Sequence, residues 1–246
     1  MDSKHKVLLT FGLNPTLDIH NDARRQQLSE NNDFIIAINA YDNNFIQDKA
    51  DLVLPLAGFA ETSGTFVNVE GLWQSFKGCV KAPGEARQGW KILTALGQVL
   101  LPGEFDYADS VAIRNEVKEK CRDLELNNIC GVRSSAVKLP VRSRAIQKIG
   151  VAPIYASDDL VRLSAALQAT PIMKQQSALL MNRALAEKLE LAAAEQVQVK
   201  QGQGTAVLPL HFSDDIPAGC VCMPTGIEAV RNLADAYGEV ELEFVS

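Results

Sequence analysis

The run Phe34-Ile35-Ile36-Ala37-Ile38 contains no polar side chain. A strand with one wet face alternates apolar and polar residues, so an unbroken run predicts a strand buried on both faces, as in a parallel sheet. Two short runs of the same kind flank it. Val7 to Phe11 ends at Gly12 and is broken by Asn14-Pro15, and Asp51-Leu52-Val53-Leu54-Pro55 is stopped by its proline. Between the first two, residues 21–31 are polar and helix-compatible, with Leu28 as the inward anchor. Strand, helix, strand and strand on short links predict an α/β domain with parallel connections.

Residues 57–83 read differently. They carry Gly58, Gly64, Gly71 and Gly78 with polar groups between them, and predict a long functional or binding loop. Two helical stripes follow: Trp90, Leu93, Gly97 and Leu100, then Ile113, Val117, Cys121 and Leu124, the second with Asp106 or Asp109 as cap. The α/β domain is assigned residues 1–130. Residues 131–171, punctuated by Pro140, Pro153 and Pro171, read as a connecting arm with one short helix around 160–167. Residues 172–246 read as a small, double-psi-like β-barrel. Its predicted parts are a strand at 177–181, a short helix capped by Asn182 with Ala184, Leu185 and Leu189 inward, a hairpin of 195–200 with 205–210, and strands at 220–224 and 239–245.

Composition removes several function classes. The net charge is −6 with no long basic run, which is unsuited to nucleic acid. No apolar run approaches the roughly 20 residues that span a bilayer. The apolar stretch after Lys6 is too short for a secretory signal, so a cytoplasmic setting is expected. The abrupt start inside a strand pattern leads to the expectation of a longer natural chain. The five cysteines, Cys79, Cys121, Cys130, Cys220 and Cys222, form no CxxC pair and are odd in number. No zinc site, iron–sulfur site or disulfide framework is expected from them. Cys220 and Cys222 share a strand face and read as small core hydrophobes rather than as a redox pair. His5, His20 and His211 stand in unrelated contexts and read as surface or packing residues.

Segment 50–74, ADLVLPLAGFAETSGTFVNVEGLWQ, carries the most functional information. Hydroxyls and amides among glycines at a strand's carboxyl end suit a polar, phosphorylated or heterocyclic ligand. The same groups also suit the loop's own backbone, which Ser, Thr and Asn often satisfy.

The pattern Ala50-Asp51-x-Val53-Leu54-Pro55, then Glu61-x-x-Gly64-Thr65-x-x-Asn68-x-Glu70-Gly71, resembles the signature of the molybdopterin oxidoreductase superfamily. Gly12-x-Asn14-Pro15 resembles its nucleotide-side turn. Residues 172–246 resemble its dinucleotide-binding barrel through Asn182-x-x-Leu185-Ala186, Val197-Gln198-Val199 and Ile216-Pro217-x-Gly219-x-Val221. Within that superfamily, the tracts Glu61 to Asn68, Gln74 to Gly78, Pro153 to Arg162 and Ala166 to Pro171 resemble the large G subunits of bacterial NADH-quinone oxidoreductase, respiratory complex I.

The resemblance implies a retained fold beside a vestigial pterin site, for which Asn14, Thr65, Asn68 and Glu70 are the candidate residues. It implies no catalytic residue, metal or cofactor in this chain, with iron–sulfur clusters in N-terminal domains outside it. Partners would be other peripheral-arm subunits, and the location would be peripheral, on the cytoplasmic side of the bacterial inner membrane. One departure matters. Leu72-Trp73 follows Glu70-Gly71 where superfamily members often carry an Arg, and Leu72 cannot supply the charge-assisted fork of a guanidinium. Two further readings stay open: the C-terminal half of a molybdopterin-dependent oxidoreductase that binds a pterin guanine dinucleotide, and a free-standing nucleotide-binding module.

Overall fold

The computed structural model describes residues 5–20, 22–125, 127 and 145–245. Cys130 and most of the expected arm before Ile146 lie outside the described residues.

The first half opens with β1 (Leu8–Phe11), α1 (Pro15–Asp18), α2 (Asp22–Glu30), β2 (Ile35–Asn39), α3 (Asn44–Lys49) and β3 (Leu52–Pro55). The three strands form a parallel sheet in the order β1-β2-β3, as the apolar runs predict. Proline at the first position of α1 has no N–H to leave unpaired and a backbone preset for a helix. Asn43 caps α3 by accepting from the Ile46 N–H. Leu28 and Phe45 pack with Ile35 on one face of the sheet.

Residues 57–83 are not an irregular loop. A 3-10 turn at Phe59–Glu61 leads into an antiparallel hairpin of β4 (Gly64–Val67) and β5 (Trp73–Phe76). Glycine spacing hid the pairing, since two four-residue strands leave little room for alternation. The Phe66 and Phe76 rings stack at 5.2 Å.

Two longer helices follow, α4 (Gly89–Leu100) and α5 (Ser110–Lys120). Asp109, not Asp106, caps α5 by accepting from the Ala112 N–H at 2.8 Å. Both expected stripes need correction. In α4 the buried residues are Gly89, Ile92, Thr94 and Gly97, while Leu93 and Leu100 are exposed. A Cβ at Gly97 would lie 2.4 Å from the Phe105 ring, so that side of the helix is set by a close aromatic contact. In α5, Val117 is exposed, and so is Leu124 beyond it. The helix meets the hairpin through Ser110, Arg114 and Lys118, four residues apart on one face.

The second half is a closed six-stranded barrel in the order β10-β6-β11-β8-β9-β7. In chain order it comprises β6 (Ile146–Val151), α6 (Asp159–Arg162), α7 (Ala165–Gln168), α8 (Pro171–Gln176), β7 (Leu179–Met181), α9 (Arg183–Lys188), β8 (Gln196–Gln201), β9 (Gly204–Phe212), β10 (Cys220–Pro224) and β11 (Tyr237–Phe244). The segment expected as a connecting arm therefore supplies a barrel strand, β6, paired with β10 and β11. The single helix expected around 160–167 is two short ones, α6 and α7. The hairpin of β8 with β9 and the Asn182 cap stand as read from the residues. In α9 the fully buried residue is Ala186, and Ala184 is exposed. In β10 the inward residues are Val221 and Met223, so Cys220 and Cys222 occupy the other face of the strand and are not core. The barrel is filled by Leu179, Met181, Leu191, Val197, Val199, Leu208, Val221, Met223 and Leu233.

Candidate functional site

In open α/β sheets, ligands bind beyond the carboxyl ends of the strands, where helix and loop backbone groups turn toward one crevice. Here that position holds a cleft of about 520 Å³. Gly12 after β1, Asn39 to Tyr41 at the end of β2 and Leu56 to Gly58 after β3 form one wall. Ser157 to Leu160 and Arg162, from the barrel half, form the other.

A closed ring of polar contacts spans the two halves at this cleft. Asn14 stands at the N-cap position of α1 without a side-chain cap bond, and its backbone N–H donates to Asp18 Oδ2 at 2.8 Å. The Arg162 guanidinium donates through Nη1 to Asp18 Oδ1 at 2.8 Å and to Asp159 Oδ1 at 3.3 Å. Asn14 Nδ2 closes the ring on Asp159 Oδ1 at 3.0 Å. Arg162 Nε also donates to the Ala156 carbonyl at 3.0 Å. Asp158 caps α6 through the Val161 N–H. Asn14 Oδ1 is buried without a partner among the described residues.

The cleft lining thus sets three carboxylates, Asp18, Asp158 and Asp159, against the guanidinium of Arg162, and that guanidinium is already committed to two of them. A diphosphate needs N–H donors and cations, and close carboxylates repel it. The donor set does not fit a dinucleotide in this arrangement.

Of the four residues singled out from the sequence, Asn14 joins this ring. Thr65, Asn68 and Glu70 lie apart from it in the hairpin and do not line the cleft. Their contacts are local. Thr65 Oγ1 pairs with Ser75 Oγ at 3.0 Å. Asn68 Oδ1 accepts from the Glu70 and Leu72 N–H groups and closes the hairpin tip. Gly71 there has a φ of +77°, a left-handed turn that suits glycine.

Other signature residues also satisfy their own backbone. Asp51 Oδ2 accepts from the Ile35 N–H at 2.7 Å and holds the start of β2. Glu61 Oε2 accepts from the Gly58 N–H at 2.8 Å. Leu72 is exposed at the tip, and the Trp73 ring sits under the Lys118 ammonium at 5.2 Å. Trp73 therefore gives the hairpin a docking contact with α5.

Sequence reasoning assigned no role to Asp18, Asp159, Arg162 or Gln88. Gln88 gathers the base of the hairpin: it accepts from Ser63 Oγ and Trp90 Nε1 and donates to the Glu61 carbonyl. The available signal for the ring was Asp158-Asp159-x-x-Arg162, a carboxylate and a guanidinium one helical turn apart.

A second polar cluster lies where α1 meets the barrel. Buried Lys148 donates to the Asp235 carbonyl at 2.6 Å and to Gln201 Oε1 at 3.2 Å. Burial pulls its ammonium down to about 8, with Asp235 opposing. Partial burial and then the nearby Lys148 charge hold His20 below the ordinary imidazole range. Burial raises the Cys222 thiol. Among the described residues, no group of three His, Cys, Asp or Glu side chains could hold a metal ion. No helix there is long and apolar enough to cross a membrane.

Two family models match the chain: "Molybdopterin oxidoreductase" over residues 1–99 and "Molydopterin dinucleotide binding domain" over residues 164–240. The chain is 37% identical over 101 residues to the NADH-ubiquinone oxidoreductase 78 kDa subunit of Candida albicans, covering 41% of this chain and 13% of that protein. It is 31% identical over 133 residues to NADH dehydrogenase [ubiquinone] iron-sulfur protein 1 of Solanum tuberosum, covering 54% and 18%. It is 35% identical over 74 residues to the 75 kDa subunit of Reclinomonas americana, covering 30% and 11%. The matched parts thus span less than a fifth of each relative. Acetylene hydratase from Pelobacter acetylenicus has the same fold, with a TM-score of 0.66 at 15% identity, over 98% of this chain and 44% of its own. The α/β sheet lies within the first model and most of the barrel strands within the second, so this chain carries molybdopterin oxidoreductase family domains and is homologous to the 75/78 kDa subunits of NADH-ubiquinone oxidoreductase.

Proposed function

We propose that the chain is a structural and interaction region of the large peripheral-arm subunit of a proton-pumping NADH:quinone oxidoreductase. In this reading it holds no pterin, and electrons pass through iron–sulfur clusters outside these residues. The chain works at the cytoplasmic side of the membrane, against other peripheral-arm subunits.

The observation that carries this reading is the Asn14–Asp18–Arg162–Asp159 ring. It uses the cleft's guanidinium to join the sheet half to the barrel half, and it leaves an acidic lining at the carboxyl ends of the strands, where open α/β sheets take ligands. The signature residues support it as well, since Asp51, Glu61, Thr65 and Asn68 bind the fold's own groups.

The test is elemental analysis and acid oxidation of the protein purified from its native source. The expected result is no molybdenum and no fluorescent pterin. Stoichiometric molybdenum or pterin would overturn the reading. It would favour instead a pterin-guanine-dinucleotide oxidoreductase, for which the one supporting observation is the unpartnered Asn14 Oδ1.

A further inference from the structure

The segment that joins β5 to α4 turns at Pro83. The Ala86 N–H donates to the Pro83 carbonyl at 3.0 Å, and Gly84 takes a φ of +48°, a left-handed backbone that suits glycine. After the turn, Arg87 is fixed by its backbone to the end of β3. Its N–H donates to the Pro55 carbonyl at 3.0 Å, and its carbonyl accepts from the Ala57 N–H at 2.8 Å. Lys81 and Arg87 thereby line one pocket of about 340 Å³, and Lys91, in the first turn of α4, completes its basic lining. This pocket shares no lining residue with the cleft.

None of the three cations forms an ion pair among the described residues, whereas Lys120, Arg122, Arg162, Lys200 and Arg231 each face a carboxylate. Carboxylates are not scarce, since the chain carries 30 acidic residues against 24 basic ones. Glu61 is the one carboxylate that lines the pocket, and its Oε2 already accepts from the Gly58 N–H. Glu85 belongs to the turn but does not line the pocket.

Two of the cations are also held in place. Arg87 Nη1 donates to the Gly84 and Ala86 carbonyls at 3.3 and 3.1 Å, which leaves Nη2 and Nε without a hydrogen bond among the described residues. The Lys91 ammonium sits 5.3 Å from the centre of the Trp90 ring. All three residues are exposed, so a dissolved anion can reach them. Cations gathered on a pocket this small repel across a distance comparable to the Debye length, about 8 Å at physiological salt. A doubly charged anion relieves that repulsion, and a planar guanidinium grips phosphate through two parallel N–H bonds.

We propose that the Lys81–Arg87–Lys91 pocket binds a phosphate group, either free phosphate or the end of a small phosphoester. Arg87 supplies the fork, and the two ammonium groups supply the remaining charge. The volume stands near the lower end of the range for small-molecule sites, about 300–1,000 Å³, which suits a small anion better than an extended acidic peptide. The inference goes beyond the structural reading above and does not depend on it, because it uses none of the cleft's residues.

The test is calorimetric titration of the intact protein at low ionic strength, with inorganic phosphate and glycerol 3-phosphate as probes. Saturable binding of one equivalent per chain is expected. Tighter binding of glycerol 3-phosphate would assign the site to phosphoesters, and equal or weaker binding would assign it to free phosphate; either supports the proposal. Arg87→Gln should weaken binding by about tenfold or more, the scale of hydrogen bonds to a charged group. Lys81→Gln should weaken it less, and tests the charge alone should Arg87→Gln disturb the turn. Lys120→Gln, which removes a cation already paired with Glu116 on α5, should leave the affinity unchanged. No saturable heat with either probe would overturn the proposal. So would an equal loss in Lys120→Gln, or tighter binding of a polyglutamate peptide, which would make the pocket a contact for an acidic protein segment. Finding a pterin would sink the structural reading and leave this titration unaffected.

Discussion

Replacing Arg162 by Ala removes the cation that joins Asp18, at the end of α1, to Asp159 at the rim of the barrel. The Arg162 side chain is 12% exposed, that of Asp159 13% and that of Asp18 28%. Breaking a buried ion pair from one side costs about 3–5 kcal/mol, because the remaining charge keeps its desolvation without its partner. Solvent reaches part of Asp18 and screens its share, so an intermediate loss of about 2–3 kcal/mol is expected. Urea unfolding followed by tryptophan fluorescence reports the first half directly, since Trp73 and Trp90 both lie there. Far-UV circular dichroism reports both halves. Arg162→Ala should lower the fluorescence midpoint and pull it below the dichroism midpoint as the halves lose their tie. Arg162→Lys should recover only part of the loss, because a single ammonium cannot reach both carboxylates and the Ala156 carbonyl at once. Adding Asp18→Asn and Asp159→Asn to Arg162→Met should recover most of it, because no unpaired charge remains. A change within about 0.5 kcal/mol for Arg162→Ala would refute the reasoning, since that is the scale of an ordinary surface substitution.

Three further outcomes are expected. His20 has a folded-state pKa below its unfolded value, so its contribution to stability is complete above the unfolded pKa and is lost as pH falls through the folded one. Urea midpoints between pH 7.5 and about 5 should therefore fall more steeply in the parent than in His20→Gln; parallel curves would remove His20 from the account. Lys148 is depressed to about 8, so the parent should gain stability as pH rises from there toward the ordinary lysine range, where only the unfolded chain still holds the proton. Lys148→Met should lack that gain, and an identical alkaline rise in both proteins would show that Lys148 is not its source. Gly204→Ala should destabilise the barrel by at least about 1–3 kcal/mol, because the added Cβ would lie 1.7 Å from the Asn232 carbonyl oxygen; a thermal midpoint equal to the parent's would show that this close approach relaxes freely.

Local pattern carried the α/β sheet and most of the barrel into view. An apolar run at Phe34–Ile38 has few places to go other than a strand buried on both faces, and β2 lies there. The alternation at Glu195–Lys200 and the turn at Gly202 similarly announced the β8–β9 hairpin. Capping is also a local property, and Asp109 and Asn182 do cap α5 and α9. The candidate site was legible only at Asn14, through the turn that starts α1. Thr65, Asn68 and Glu70 were legible as a polar loop, but their partners depend on a hairpin whose strands are too short to show a period.

What only the tertiary structure decided depends on residues far apart in the chain. β6 was hidden because its inward position is a lysine, Lys148, which no alternation of apolar residues marks. It is acceptable there because Gln201 and the Asp235 carbonyl, 53 and 87 residues away, accept hydrogen bonds from it. The inward face of β10 is set by barrel closure, which turns Val221 and Met223 in and both cysteines away. Arg162 meets Asp18 across 144 residues. Sequence alone determined most of the strands and helices, because that choice is made largely by near neighbours; β4, β5 and β6 are the exceptions. Which polar groups meet at the cleft was decided by the docking of sheet on barrel, which brings charges together only once both halves have folded.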